Sequence, residues 1–331
     1  GSVRFLPDRL VSDADPANGF KRLKDAVAGQ FDRFAGHVFI MAAGIVVRVV
    51  AGHLTHKTTD PAVVVCDEAG RFAVSLVSGH VGGANALARQ VARIAGGQAV
   101  ITTATDVNKV PAIDLIAVEN GLSIENPDAI KTVNMALLTG DPIAVHDPYG
   151  ELAGRLPETQ LRQVGPDAVP RFGTGVYVDH MRLDLPPQVL VLRPGSLVAG
   201  MGCNRGTGIA EMRDLLAATF ARHNLAPASL RALATVDLKA DEKGLLALAE
   251  SLNIPVVAFS RDQLKSITQV PTPSKVVEKH IGVHSVCEAA ALLATHRGRL
   301  IVPKRKTANA TLAVAADGCM SSASDPAPRS T

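Results

Sequence analysis

Ser75-Leu-Val-Ser-Gly-His-Val-Gly-Gly-Ala-Asn85, followed by Ala86-Leu-Ala-Arg-Gln-Val-Ala-Arg-Ile-Ala95 and Gly96-Gly-Gln-Ala-Val-Ile-Thr-Thr-Ala-Thr-Asp106, is the stretch that organises this chain. Phe72, Val74 and Leu76 alternate as in a strand, and beyond the glycines Ala84, Leu87, Ala88, Val91, Ile94 and Ala95 fall on one helical face. The segment reads strand, glycine turn, helix, strand. Gly82 and Gly83 let backbone come close to a ligand, and the N–H groups of a helix start then point at whatever sits there. That is a place for an anion. Neither G-x-G-x-x-G nor G-x-x-x-x-G-K-[ST] is present, so the dinucleotide and P-loop readings lack their fingerprints. The plainer alternative is glycines that only pack the helix on the sheet and shape a turn.

Outward from this segment the same alternation continues. Phe20 to Phe34 has apolar residues at helical spacing; His37 to Ala42 reads as a strand, Ile45 to Ala51 as a short helix bearing Arg48, and Ala62-Val-Val-Val-Cys66 as a strand covered on both faces. Helices over Pro111 to Glu119 and Pro127 to Leu138 and a strand over Ile143 to His146 follow. From 148 to 194 the pattern weakens under seven prolines, and this stretch reads as a connecting region carrying a short strand or two. Gln188 to Leu192 restores the strand signal, and Ser196 to Met201, the glycine turn Gly200-Met-Gly-Cys-Asn-Arg-Gly-Thr-Gly208, and a helix bearing Ile209, Met212, Leu216 and Phe220 repeat the motif. Further elements run to Thr311–Ala315, among them a helix near Ser274 to His280. The expected architecture is two α/β domains, 3–147 and 195–318, with mostly parallel sheets flanked by helices and joined by the proline-rich region. Residues 319–331, rich in Ser, Pro and Ala, read as a disordered tail.

Composition excludes several classes of function. The chain has 331 residues, 47% hydrophobic and 20% charged, as a soluble globular protein does. Two Tyr, nine Phe and no Trp argue against stacking of single-stranded nucleic acid, and a net charge of +3 argues against tracking a phosphate backbone. Cys66, Cys203, Cys287 and Cys319 are widely spaced with no C-x-x-C or H-E-x-x-H, so neither a disulfide framework nor a protein metal site is expected, and the reducing cytoplasm is the natural compartment. The longest apolar run, His37 to Leu54, is broken by Arg48 and too short to span a bilayer. Gly1-Ser2 without an initiator Met reads as a vector-derived start to a chain that begins partway into a longer protein.

Phe39-Ile-Met-Ala-Ala-Gly-Ile-Val-Val-Arg48, Lys57-x-x-Asp60-Pro-Ala-Val63, Ser78 to Asn85 and Val100 to Asp106 together resemble the N-terminal and central signature of the CbiG family, the cobalt-precorrin-5A hydrolases of anaerobic cobalamin (vitamin B12) biosynthesis. Gly200 to Gly206, Gly282 to Ala291 and Leu300 to Lys304 resemble that family's C-terminal domain, which the CobE protein of the aerobic route shares. The resemblance runs from about Phe5 to Ala316. Family members usually begin with a strand and helix ahead of Phe5, which this chain lacks.

The resemblance implies a reaction. Water opens the lactone joining the ring-A acetate to the C20 bridge of a polycarboxylate cobalt tetrapyrrole, and that carbon leaves with its methyl group as acetaldehyde. Cobalt arrives in the substrate, so no cofactor is needed. A non-catalytic tetrapyrrole carrier of the same pathway is the alternative, and a homodimer or contact with neighbouring pathway enzymes stays open; no nucleic-acid or membrane partner is expected. Lactone opening needs acid–base help and a stabilised oxyanion. His80, in the glycine turn, is the first choice for the acid–base group. Asp106 is placed to orient it, to act as base, or merely to cap the next helix. Ser78 is a tempting nucleophile, although Leu76 stands where G-x-S-x-G needs a glycine. Substrate carboxylates fall to Arg48, Lys57, Gly79, Gly82, Gly83, Asn85, Thr102 and Thr103 in the first half, and to Gly202, Cys203, Arg205, Gly206 and Lys304 in the second. Arg48, set among Val and Ile, is either solvated or a cleft-facing cation that needs an anionic partner. Cys203, at a helix start beside Arg205, is expected to be relatively acidic, or else a small packing residue.

Overall fold

Val63 and Val65 face one way along their strand and Ala62 and Val64 the other, and all four are buried. A strand with that pattern needs a layer on each face. A computed structural model describes residues 2–12, 17–56, 59–267, 270–272 and 285–318. The chain divides into two units, Gly1–Ile116 and Ala117–Thr331.

In the first unit β1 (Phe5–Pro7) pairs with β2 (Asn18–Phe20), and α1 (Leu23–Gln30) leads into β3 (Gly36–Ile40). Then come α2 (Ala43–Val50), β4 (Ala62–Cys66), β5 (Phe72–Val77), α3 (Ala84–Ala95), β6 (Gln98–Val100), α4 (Ala104–Val107) and the start of α5 (Ile113–Glu119). The sheet order is β3-β4-β5-β6. Val27, Phe31, Val46 and Val50 of the α1–α2 side pack on Val63 and Val65; Ala84, Ala88 and Ala92 of α3 pack on Ala62 and Val64. The alanines, one turn apart, let α3 lie close to the sheet. Each fully buried valine contributes roughly 1.5–3 kcal/mol. Only β4 and β5 run antiparallel, because the short turn Asp67–Gly70 reverses the chain: Asp67 takes the Phe72 amide on its carboxylate at 2.9 Å.

The second unit holds two five-stranded sheets. The first uses β7 (Ser123–Ile124), β8 (Ile143–His146), β9 (Leu161–Gln163), β10 (Gly175–Val178) and β11 (Val189–Arg193) in the order β7-β11-β10-β8-β9, with α6 (Ile130–Thr139) between β7 and β8. This corrects the expected connecting region: 148–194 supplies three of the five strands, and β8, expected to close the first domain, belongs to this sheet. Prolines 148, 157, 166, 170, 186, 187 and 194 all lie in the connections, where a missing N–H is harmless. They obscure β10, which is buried on both faces, whereas β11, also buried on both faces, matches the strand read at Gln188 to Leu192.

The other sheet is built from β12 (Leu197–Cys203), α7 (Ile209–Arg222), β13 (Leu230–Val236), α8 (Lys243–Leu252), β14 (Val256–Phe259), α9 (Arg261–Lys265), α10 (Val286–Leu293), β15 (Arg299–Lys306) and β16 (Ala310–Ala316). Its strand order is β14-β13-β12-β16-β15, parallel from β12 to β14 and antiparallel at β16. α10 lies so close that a Cβ on Gly200 of β12 would fall 1.8 Å from the Cys287 carbonyl oxygen. Only glycine fits there. The helix expected near Ser274 to His280 and the expected tail from 319 lie outside the described residues. Among the described residues no helix is long and apolar enough to cross a membrane.

Candidate active site

β5 ends at Val77, and the chain turns at once. Ser78 takes φ 59° and Gly83 φ 86°, both in the left-handed region that L residues rarely adopt. A Cβ on Gly82 would lie 2.3 Å from Cβ of Ser78, so the turn folds onto its own first residue. The amide of Gly83 donates to the His80 carbonyl at 2.8 Å, that of Ala84 to Ser78 at 2.9 Å and that of Asn85 to Gly79 at 3.0 Å. These bonds correct the expectation of a helix start offering free amides to a carboxylate, since at least these three are already satisfied. What the turn does is aim two side chains, His80 and Asn85.

Asn85 is buried at the first turn of α3 and works as a splint. It receives the Ser75 hydroxyl on Oδ1 at 2.7 Å, and its Nδ2 donates to Thr103 Oγ1 at 3.1 Å and to Asp106 Oδ2 at 2.9 Å. Thr103 Oγ1 also donates to Asp106 Oδ2 at 2.7 Å, and Arg89, one turn along α3 from Asn85, reaches Asp106 Oδ1 at 2.5 Å. Asp106 is therefore no helix cap; Thr103 stands at the cap position of α4 and Asp106 lies within the helix. His80 sits between two acids. Its Nε2 lies 2.9 Å from Thr105 Oγ1 and 3.3 Å from Asp106 Oδ2, and its Nδ1 lies 3.3 Å from Oδ2 of Asp114, a buried residue of α5.

The hydrogen bond to Asp114 raises the His80 pKa above its ordinary value; burial opposes this, and the charges of Asp114 and Asp106 reinforce it. Partial burial pushes Asp106 upward, but the bonds from Thr103 and Arg89 and the charges of Arg89 and His80 outweigh it and leave the carboxyl below its ordinary value. The cluster thus favours the charged form of a ring held by two acids, one of them saturated with donors. A carboxylate with that many donors is a poor base. It is well suited to fix a ring in place.

Of the expected catalytic groups, then, His80 and Asp106 meet, with Asn85 and Thr103 from the binding set beside them. Ser78 heads the same turn, yet its hydroxyl is buried without a hydrogen-bond partner, so no base is in place to activate it. Arg48 is exposed and donates to the Gly44 carbonyl one turn back at 2.8 Å, which selects the solvated reading; Thr102 is exposed as well. Lys57 lies outside the described residues. Gly202, Cys203, Arg205, Gly206 and Lys304 belong to the second unit. There the Gly206 amide donates to Glu242 Oε1 at 2.8 Å, and Arg205 pairs with Asp241 at 2.7 Å, so the second glycine turn already holds an anion from α8's entry. Gly202 packs against Thr311, and Lys304 Nζ donates to the Thr272 carbonyl at 2.7 Å. Cys203 is not acidic: burial raises its thiol, with Glu242 adding to this against the opposing charges of Lys239 and Arg205. Sequence reasoning missed Arg89 and Asp114; Thr105, which it offers with Thr102 and Thr103 as a hydrogen-bonding partner for carboxylates, meets the His80 ring instead. Arg89 has a signal, four positions after Asn85 on one helix face; Asp114 has none.

Three consecutive segments match sequence profiles described as cobalamin synthesis G N-terminal (25–106), cobalamin biosynthesis central region (111–194) and cobalamin synthesis G C-terminus (197–315). A cobalt-precorrin-5A hydrolase from Priestia megaterium is 35% identical over 299 residues, 86% of this chain and 79% of that protein. The chain belongs to the cobalamin synthesis G family. A second cobalt-precorrin-5A hydrolase, from Salmonella typhimurium, is 36% identical over 280 residues, 82% of this chain and 79% of that protein. Protein CobE of a Sinorhizobium species matches 36% of this chain and 79% of its own length at 36% identity. The three cobalamin synthesis G segments correspond to the three large sheets, and His80 and Asp106 lie in the N-terminal one while Asp114 comes from the central one.

Proposed function

We propose that this chain is a cobalt-precorrin-5A hydrolase and that His80 is its acid–base group. The reading is supported by the two hydrolase relatives along most of the chain, and the observation that carries it is the His80 ring held between Asp106 and Asp114. Water adds to the lactone carbonyl, the ring ester breaks, and the leaving alkoxide oxygen takes a proton from the imidazolium. The freed hydroxyl then returns that proton to the neutral imidazole as the single carbon–carbon bond that still joins C20 to the macrocycle breaks. C20, its hydrogen and its methyl depart as acetaldehyde, and the bonding pair stays with the macrocycle, which takes up one proton. One ring serves both steps, because the second undoes the proton transfer of the first. General acid–base help of this kind contributes roughly 10²- to 10⁴-fold. Asp106 and Asp114 are positioning residues that hold the ring and favour its charged form. Cobalt belongs to the substrate.

The test is acetaldehyde release from cobalt-precorrin-5A by the purified chain, followed through an aldehyde-reducing dehydrogenase. Stoichiometric acetaldehyde is expected. Substrate bound without release would instead establish the carrier reading.

A further inference from the structure

The second unit contains a cavity of about 400 Å³ that none of the His80 cluster lines. It lies where the two sheets of that unit are stitched together: Met181 bridges Leu225, the Ala226 amide donates to the His180 carbonyl at 2.8 Å, and the Arg182 amide donates to Asn224 at 2.7 Å. Pro148, Met181, Leu225, Ile301 and Val302 make apolar walls. The polar groups are arranged unevenly. Asp179 lies inside, but its carboxylate is already used by His146 Nε2 at 3.0 Å and by the Met181 amide at 3.0 Å. Arg299 on the rim forms no ion pair or side-chain hydrogen bond with a described residue. Nearby, Arg305 Nη2 is 3.4 Å from His223 Nε2.

His180 is 7% exposed. Its Nδ1 faces the Tyr149 hydroxyl and, at 3.3 Å, that of Ser196, with Asp179 Oδ1 farther off at 3.6 Å, and Nε2 has no hydrogen-bond partner among the described residues. Burial, helped by Arg299 and Arg193 against the pull of Asp179, keeps the ring neutral. With two hydroxyls able to donate to Nδ1, and Asp179 Oδ1 beyond hydrogen-bond distance of it, the ring's own proton goes on Nε2, the nitrogen of this cavity-lining ring left for a ligand. A cation at the rim, a neutral donor within and apolar walls between them describe a ligand that is a small apolar ring carrying a carboxylate. The volume equals that of about a dozen water molecules at roughly 30 Å³ each. That accommodates one pyrrole with its acid side chains and excludes a whole four-ring macrocycle.

We infer that this cavity is a binding site for one carboxylate-bearing pyrrole edge of the tetrapyrrole, with Arg299 pairing the carboxylate and His180 Nε2 donating to the ring's polar substituent. The inference rests on the tetrapyrrole reading above.

The probe is porphobilinogen, a single pyrrole bearing one acetate and one propionate, titrated calorimetrically into the full chain. Binding is expected, and Arg299→Met, a change at an exposed strand position, weakens it roughly tenfold or more, as loss of a charged hydrogen-bonding partner does. His180→Phe, which keeps the volume and removes the donor, weakens it as well, and a pyrrole without acid groups shows no saturable binding. Binding that is absent in the parent chain, or unchanged in Arg299→Met, overturns the site. Acetaldehyde release by the same preparation separates the two ideas. Release without porphobilinogen binding removes only this site, whereas Arg299-dependent binding without release keeps the site and removes the hydrolase reading.

Discussion

Nδ1 of His80 lies 3.3 Å from Oδ2 of Asp114, and this contact joins the glycine turn after β5 to a helix from a different family segment. Because Asp106 occupies the opposite side of the ring at 3.3 Å, the imidazole is clamped from both ends. The clamp generates the predictions that follow.

His80→Gln removes the proton carrier and keeps a hydrogen-bonding side chain. Acetaldehyde release should fall by roughly 10²- to 10⁴-fold, whereas Cys203→Ala should stay near the parent rate. Asp114→Asn should lower turnover while leaving substrate affinity in place, since Asp114 acts through the ring. Equal losses in His80→Gln and Cys203→Ala would refute the division of labour.

The clamp also sets a pH dependence of stability. The folded-state pKa of His80 is raised above the ordinary 6.5, so its contribution is fully present below about 6.5 and is lost as pH rises through the folded value. Asp106 has the opposite sign: its contribution is present above the ordinary 3.8 and is lost as pH falls through the lowered folded value. Melting temperatures of the parent and His80→Gln should differ most at mildly acid pH and converge at alkaline pH. A gap that widens with rising pH would contradict the assignment.

Asn85 is 4% exposed and bonds three side chains. Asn85→Ala strands the Ser75 hydroxyl and removes a donor from Asp106, at a cost of about 1–3 kcal/mol for a buried group left unsatisfied. Asn85→Asp should cost more, because it sets a second carboxylate beside Asp106. Urea unfolding of the three proteins gives the order, and an Asn85→Asp chain as stable as the parent would show that the splint is dispensable.

Adjacent glycines in the turn should differ sharply. At Gly83 an added Cβ meets nothing within 4 Å, so Gly83→Ala costs only the left-handed backbone, roughly 1–2 kcal/mol. At Gly82 the Cβ would meet Ser78 at 2.3 Å, and the turn must open, carrying His80 away from Asp106. Thermal unfolding should register both changes, and acetaldehyde release should collapse only in Gly82→Ala. Equal activity in the two variants would mean that the turn does not aim His80.

Much of this molecule was legible as sequence. The run Ala62–Cys66 declares a doubly covered strand by being apolar at every position, and α3 declares its buried face through alanines one turn apart, because both signals are local periodicities of a regular backbone. His80 stood out because it interrupts a glycine turn. The tertiary structure decided what no period encodes. β9 and β10 emerge only when prolines are seen to fall in the connections, and the glycine-turn amides, which sequence offers to a ligand, prove to be bonded to carbonyls of their own loop or, at Gly206, to Glu242. Asp114, Thr105 and Arg89 join the site because α4 and the start of α5 bring their side chains to the glycine-turn His80 and Arg89 reaches Asp106 from α3, and the separation of residues along a chain says nothing of that approach. Periodicity determines which faces are buried; only packing determines which polar groups meet there, and the raised pKa of His80 follows from that meeting.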